Sequence, residues 1–251
     1  MQFRRELLYF LLAVQVLTRL PVPQMRGFAD RWIQRGVKYF PLTGALVGAV
    51  CAAIFLAASQ FWHGILPALL TVAAGAAITG GLHEDGFADF FDCMGGATRE
   101  ARLAILKDSR LGTYGVLALG LGAGAKILAL ASLPAGIGAA ALVAAHAGGR
   151  LAAVAVLSTL PYAGGISAAK IKPLGQGITR TDLGIAAAFG LIPLLLLPHA
   201  YTLLALAMAA SGAALTAWTA KRLLGGYTGD VLGAAEQVFE IAFLLALAAV
   251  V

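Results

Sequence analysis

Asp85, Asp89 and Asp92 stand at positions i, i+4 and i+7 of the stretch Leu82-His83-Glu84-Asp85-Gly86-Phe87-Ala88-Asp89-Phe90-Phe91-Asp92. On a helix, at about 100° per residue, these carboxylates fall within roughly 60° of one another. Like charges stacked on one stripe repel. A chain poor in charge has little reason to place them there for solubility. A hard divalent cation would neutralise them, and Mg²⁺ suits carboxylates that also meet a phosphate. A solvated acidic face at a membrane surface is the plain alternative. Against it, six of the twelve acidic residues lie between Glu84 and Asp108. Asp85, Asp89 and Asp92 are therefore the candidate metal ligands and catalytic carboxylates. His83 adjoins them as a candidate hydrogen-bonding contact to substrate.

Two more groups carry chemistry. In Lys107-Asp108-Ser109-Arg110-Leu111-Gly112-Thr113-Tyr114-Gly115, an Asp, a Ser and an Arg precede a glycine-containing turn. Arginine grips phosphate in a fork, and glycine lets the backbone approach an anion. A metal plus an arginine is a common way to stabilise a transferring phosphoryl group. Asp108 and Arg110 join the catalytic candidates, with Ser109 as a substrate contact. In Gly225-Gly226-Tyr227-Thr228-Gly229-Asp230, a glycine-rich loop delivers Asp230, and Glu236 and Glu240 follow one helical turn apart. Acids that enter a membrane mark function by default. Lys126 and Arg150 fall inside apolar runs. They either pair with the acids or line a cleft that holds a diphosphate, and both options stand at this point. Lys126, Arg150, Asp230 and Glu236 complete the substrate-binding candidates.

The elements that must position these residues follow from composition. The chain has 251 residues, 60% hydrophobic and 12% charged. Its mean hydropathy is +0.87. Soluble domains carry about 25% charged residues, so an ordinary water-soluble globule is disfavoured and a disordered chain is excluded. The class that remains is an all-α polytopic membrane bundle. Apolar runs of spanning length lie at 42–61, 64–82, 113–133, 138–160, 183–198, 200–219 and 236–251, which predicts about seven spans. The shorter N-terminal run from Leu7 to Leu17, stopped by Pro21 and Pro23, reads as an interfacial or re-entrant helix. No linker divides the chain, so 1–251 is read as a single integral membrane domain. Gly44-x-x-x-Gly48 and Gly120-x-x-x-Gly124 are small-residue pairs that permit close helix packing.

Orientation follows from the basic residues. Seven lie in 1–41, four in 83–112, three in 161–182 and two in 220–235. The opposite connections, near 62–64, 134–137 and 198–200, contain no Lys or Arg. With seven spans, every charged segment faces one side, and the positive-inside rule makes that side the cytoplasm. The net charge of +6 reflects those loops, and no nucleic-acid partner is expected. Cys51 and Cys93 have neither zinc-site nor disulfide spacing.

Taken in order, these blocks resemble the cobalamin synthase family, the adenosylcobinamide-GDP ribazoletransferases of bacterial membranes. The resemblance runs from Leu17-Thr18-Arg19-Leu20-Pro21-Val22-Pro23 and Tyr39-Phe40-Pro41-Leu42 through His83-Glu84-Asp85-Gly86-x-x-Asp89-x-x-Asp92. It continues through Lys107-Asp108-Ser109-Arg110-x-Gly112-Thr113-x-Gly115 to Gly225-Gly226-x-Thr228-Gly229-Asp230-x-x-Gly233-Ala234. It implies a Mg²⁺-dependent transferase in the bacterial inner membrane with its active site facing the cytoplasm. The substrates would be adenosylcobinamide-GDP and α-ribazole or its 5′-phosphate, and GMP would leave. The implied partners are those substrates and the lipid bilayer; oligomeric state is open. Asp85, Asp89 and Asp92 would hold Mg²⁺ against the diphosphate, Asp108 and Arg110 would position phosphate, and Asp230 would complete the site.

Two departures stand out. Phe91-Asp92-Cys93 replaces an expected Ala-Asp-Gly, and Gly164 follows Pro161-Tyr162-Ala163 where the family often has Arg. Lys170 or Lys172 could supply that contact. Two other classes compete. A CDP-alcohol phosphotransferase would need Arg at the position of Asp89 and a second aspartate block. An ion-coupled transporter would use Lys126, Arg150, Glu236 and Glu240 as a path and would show two pseudo-symmetric halves.

Overall fold

Proline at helix starts and glycine at helix ends punctuate this chain. In the computed structural model, which describes residues 2–23, 30–164 and 177–251, α3 (Phe40–Ala58) and α4 (Leu66–Thr79) each carry a proline in the first turn. Helix α4 stops at Gly80, and α10 (His199–Leu224) at Gly225, both in the left-handed conformation that costs glycine little. Between those signals lie α5 (Leu82–Cys93), α6 (Arg99–Ile105), α7 (Thr113–Ser132), α8 (Ala135–Thr159) and α9 (Arg180–Leu191). Helix α11 (Gly229–Ala248) closes the bundle; α1 (Gln2–Leu17) and α2 (Asp30–Gly36) precede it. Among the described residues there is no β-sheet, only an isolated bridge between Tyr162 and Tyr227. The all-α reading holds.

Not every predicted span is one long helix. Among the described residues, five helical segments are long and apolar enough to cross a bilayer: Trp32–Ala58, Thr113–Ser132, Ala135–Thr159, Tyr201–Leu224 and Gly229–Ala248. A sixth is reached only if α4 and α5, bent by 92°, count as one broken span. The run at 183–198 does not give a helix of spanning length. Pro193 cannot continue the α-helical hydrogen bonding, and the chain passes from α9 into a 3₁₀ segment over Ile192–Leu196. Helix α1 is longer than expected, and its last turns bury Leu12, Ala13, Val14 and Leu17 in the protein.

Helix α8 is the bundle's spine. Helix α3 approaches it through Gly44 and Gly48, where an added Cβ would lie 2.2 Å from the carbonyl oxygen of His146 and 2.6 Å from that of Leu142. This first small-residue pair is a packing contact. The second is not, since nothing lies within 4 Å of a Cβ built at Gly120 or Gly124. Helix α11 packs on α8, α5, α7 and α10, so it touches most of the elements that carry candidate residues. Ion pairs fasten the periphery. Lys38 meets Glu6 at 2.7 Å and Asp182 at 3.7 Å, and Arg35 meets Asp182 at 3.0 Å, joining α1, α2 and α9. Cys51 and Cys93 are free and buried.

Candidate active site

The Gly80-Gly81 break turns α5 away from α4, so its acidic stripe crosses one end of the bundle. Helix α5 then meets the first turn of α11 through glycine on both sides. A Cβ at Gly86 would lie 2.9 Å from the Cα of Asp230, and one at Gly233 would lie 3.0 Å from the carbonyl oxygen of His83. That contact brings Asp230 beside Asp85 and Asp89 although about 140 residues separate them in the chain. Thr228 fixes the start of α11. Its hydroxyl oxygen accepts from the Val231 N–H at 3.4 Å, and the hydroxyl donates to Asp230 Oδ2 at 3.1 Å. The preceding loop is pinned by Tyr227 N–H to the Pro161 carbonyl and Ala163 N–H to the Tyr227 carbonyl, each 2.8 Å. Arg99 donates to the Leu224 carbonyl at 2.7 Å.

Gly86→Ala would push α5 off α11 and separate Asp85 and Asp89 from Asp230. We expect turnover to fall by about 10²-fold, the scale for a displacement near 1 Å in an oriented site. Unchanged turnover in purified Gly86→Ala protein would show that this contact does not set the site.

Asp85 stands at the junction of two spaces. One is a polar cleft of about 680 Å³ along Gln15, Thr18, Arg19, Gly80, Glu84 and Asp85. The other is a smaller cavity of about 190 Å³ lined by Leu17, Phe40, His83, Asp85, Arg150 and Asp230. Asp89 is half-buried, one turn further along. Burial, and then the charges of Asp85, Asp230 and Asp92, push its carboxyl up to about 6. Helix α5 thus collects negative charge with no basic side chain in ion-pair contact with Asp85, Asp89 or Asp230 among the described residues.

Asp92 has another task. Its Oδ2 accepts from the Gly112 N–H at 2.7 Å and its Oδ1 from the Gly115 N–H at 2.8 Å, capping the start of α7. A Cβ at either glycine would overlap this carboxylate. The glycines of the second block therefore do admit an anion, and that anion is the protein's own Asp92. Arg110 is exposed and Asp108 partly so; they bind each other at 2.5 Å, and that hydrogen bond holds the Asp108 carboxyl down to about 2. Ser109 lies exposed between them.

Lys126, Arg150 and Glu236 form a buried network below the mouth. Arg150 is 2% exposed, Glu236 0% and Glu240 2%. Arg150 bridges Glu236 and Glu240, the latter at 2.6 Å, and reaches the ring of His83 at 3.5 Å. Lys126 Nζ donates to Glu240 at 3.1 Å and to Gln237 at 2.8 Å. Of the two options the sequence left open, the structure takes pairing with the acids, although Arg150 and His83 still border the smaller cavity. His146, Glu236 and Glu240 are the described residues whose possible ligand atoms lie within 4.8 Å of one another. Arg150 already lies against both carboxylates, and Lys126 neutralises Glu240 further, so this cluster has no need of a cation. Asp85, Asp89 and Asp230 offer oxygen donors alone and are not drawn into such a cage. Mg²⁺ does not require one, because it keeps waters and takes one or two carboxylates plus phosphate oxygens. These three residues fit that donor set. Gln237, Glu84 and Arg19 belong to the site's surroundings without having been singled out; Lys170 and Lys172 lie outside the described residues.

The family described as cobalamin-5-phosphate synthase matches residues 9–248. A protein of Leptothrix cholodnii named adenosylcobinamide-GDP ribazoletransferase is 44% identical over 248 residues, covering 94% of this chain and 93% of that protein. Proteins of the same name from Ralstonia nicotianae and Shewanella amazonensis are 40% and 38% identical, covering 95% and 98% of this chain and 93% and 96% of their own lengths. No solved structure gives a significant match.

Proposed function

The chain belongs to the cobalamin-5-phosphate synthase family, and we propose that it is a Mg²⁺-dependent transferase acting at the last assembly stage of cobalamin synthesis. It joins adenosylcobinamide-GDP to α-ribazole or its 5′-phosphate and releases GMP. The relatives' names supply the reaction class. The observation that carries the reading to this chain is Asp85 at the junction of a polar cleft and a smaller cavity, with Asp230 in the wall of the smaller cavity and Asp89 one turn further along α5. A diphosphate lying across Asp85 would have the acceptor approach from one side and the nucleotide leave on the other.

In this reading a ribazole hydroxyl oxygen attacks the corrinoid-side phosphorus, the bond from that phosphorus to the bridging oxygen breaks, and GMP departs. A carboxylate of the set accepts the hydroxyl proton. Asp85, Asp89 and Asp230 would hold Mg²⁺, whose charge offsets that of the diphosphate. Asp92 supports α7 and so fixes the far end of α5. Asp108, Ser109 and Arg110 form an exposed lip that meets the outer part of the substrate. His83 and Arg150 bound the smaller cavity. The corrinoid exceeds both spaces and stays at the mouth, which faces the cytoplasm of a bacterial inner membrane because the basic residues gather there.

The test supplies adenosylcobinamide-GDP, α-ribazole and Mg²⁺ to membranes containing the protein. We expect a cobamide and GMP, loss of both with a chelator, and recovery on adding Mg²⁺. No product from the wild type would refute the transferase reading. Undiminished product with the chelator would refute the metal.

A further inference from the structure

We infer that Arg19 is a phosphate-contacting residue, and that the polar cleft beside Asp85 receives the nucleoside diphosphate part of the substrate. This rests on the transferase reading above and assigns its substrate a side of the site. Arg19 is the basic residue in the lining of the 680 Å³ cleft, whose walls otherwise include Gln15, Thr18, Glu84 and Asp85. Arg35, Arg99, Arg110 and Arg150 all have acidic or carbonyl partners. No hydrogen bond or ion pair holds the Arg19 guanidinium among the described residues, yet its backbone is fixed. The Arg19 N–H donates to the Ile78 carbonyl at 2.7 Å, and Thr18 binds the Val14 carbonyl at 2.8 Å. The side chain then runs over Gly80, where an added Cβ would lie 2.4 Å from Nε.

A guanidinium placed here by its fixed backbone, in the same cleft as Asp85 and without a counter-ion among the described residues, is open to an anion. Its planar fork suits the paired oxygens of a phosphate better than a point charge does. With a cation on the Asp85 side, a diphosphate would be gripped from two directions. The cleft is also the larger and more open of the two spaces that share Asp85, as a nucleotide requires. The α-ribazole hydroxyl is left the smaller cavity, toward Asp230 and His83.

The test uses GDP with Mg²⁺ as the probe, bound to the detergent-purified full chain in equilibrium dialysis, so that it does not depend on turnover. Arg19→Gln keeps the stem that lies over Gly80 but removes charge and fork. We expect it to weaken GDP binding by about 10- to 100-fold, the range for loss of a charge-assisted pair of hydrogen bonds. Arg19→Lys should retain part of the affinity, and thermal unfolding of both variants should match the wild type. Lys221→Ala, which removes an exposed positive charge from the end of α10, should bind as the wild type does. Arg19→Gln binding within twofold of wild type would overturn the inference. So would a loss in which Arg19→Lys is no better than Arg19→Gln, or a wild type that does not bind GDP. A wild type that binds GDP but makes no cobamide refutes the transferase reading instead.

Discussion

Asp85→Asn should lower turnover by about 10³-fold or more, the scale for removing a group that stabilises charge at the reacting centre. The protein should remain folded in the membrane. Asn has nearly the shape of Asp, and Asp85 is exposed on the first turn of α5, so no buried partner is lost. The cost to the fold is that of one carboxylate near a helix N-terminus, about 0.3–1 kcal/mol. Chemistry and stability therefore separate at this residue. Asp85 borders both the polar cleft and the smaller cavity, so any diphosphate bridging them meets its oxygens. Neutralising it removes a ligand from the proposed donor set and a negative charge from a stripe shared with Asp89. Single-turnover measurement on purified protein, with unfolding temperature recorded beside it, checks the expectation. Activity within tenfold of wild type would remove Asp85 from the metal site.

The parts of this site legible in the sequence are those set by local periodicity. Asp85 and Asp89 fall on one helix face because four residues make about one turn, and that holds wherever the helix is placed. Asp230 was found by its glycine-rich setting. Its meeting with α5 depends on Gly86 and Gly233 touching, a contact between distant segments. Asp92 fitted the same stripe and was assigned the same role. Its carboxylate instead caps α7, because the chain returns after α6 and brings Gly112 and Gly115 against it. Spacing along one helix contains no record of that return. The break in the 183–198 run was hidden for a related reason. The run at 183–198 is apolar enough, but Pro193 interrupts its hydrogen bonding. Arg19 stands in the sequence as a basic residue favouring one side of the membrane and as part of the Leu17–Pro23 block, with no role at the site. Its position between a helix end and Pro21 could have marked it as held rather than mobile.

Lys126 and Arg150 had two readings from sequence, and the buried network yields a second strong expectation. Counted as formal charges, Lys126 and Arg150 are two positive groups and Glu236 and Glu240 two negative ones, all nearly inaccessible to solvent. Glu240 is the hub, touching Arg150 at 2.6 Å, Lys126 at 3.1 Å and His146 at 2.5 Å. Breaking a buried pair by removing one partner costs about 3–5 kcal/mol, because the other charge is left uncompensated where water cannot reach it. Glu240→Gln should therefore destabilise the bundle by that amount, with α8 and α11 loosening first since the network joins them. Uncompensated charge also has a signature that lost packing does not share. Adding Lys126→Met to Glu240→Gln restores the formal charge balance, Arg150 facing Glu236. The double variant should then be more stable than Glu240→Gln alone, although it removes one more native interaction. Thermal unfolding in detergent of the wild type, both single variants and the double variant measures the coupling. Additive losses would mean that charge balance does not govern this interior. A Glu240→Gln variant as stable as wild type would mean that water already reaches it.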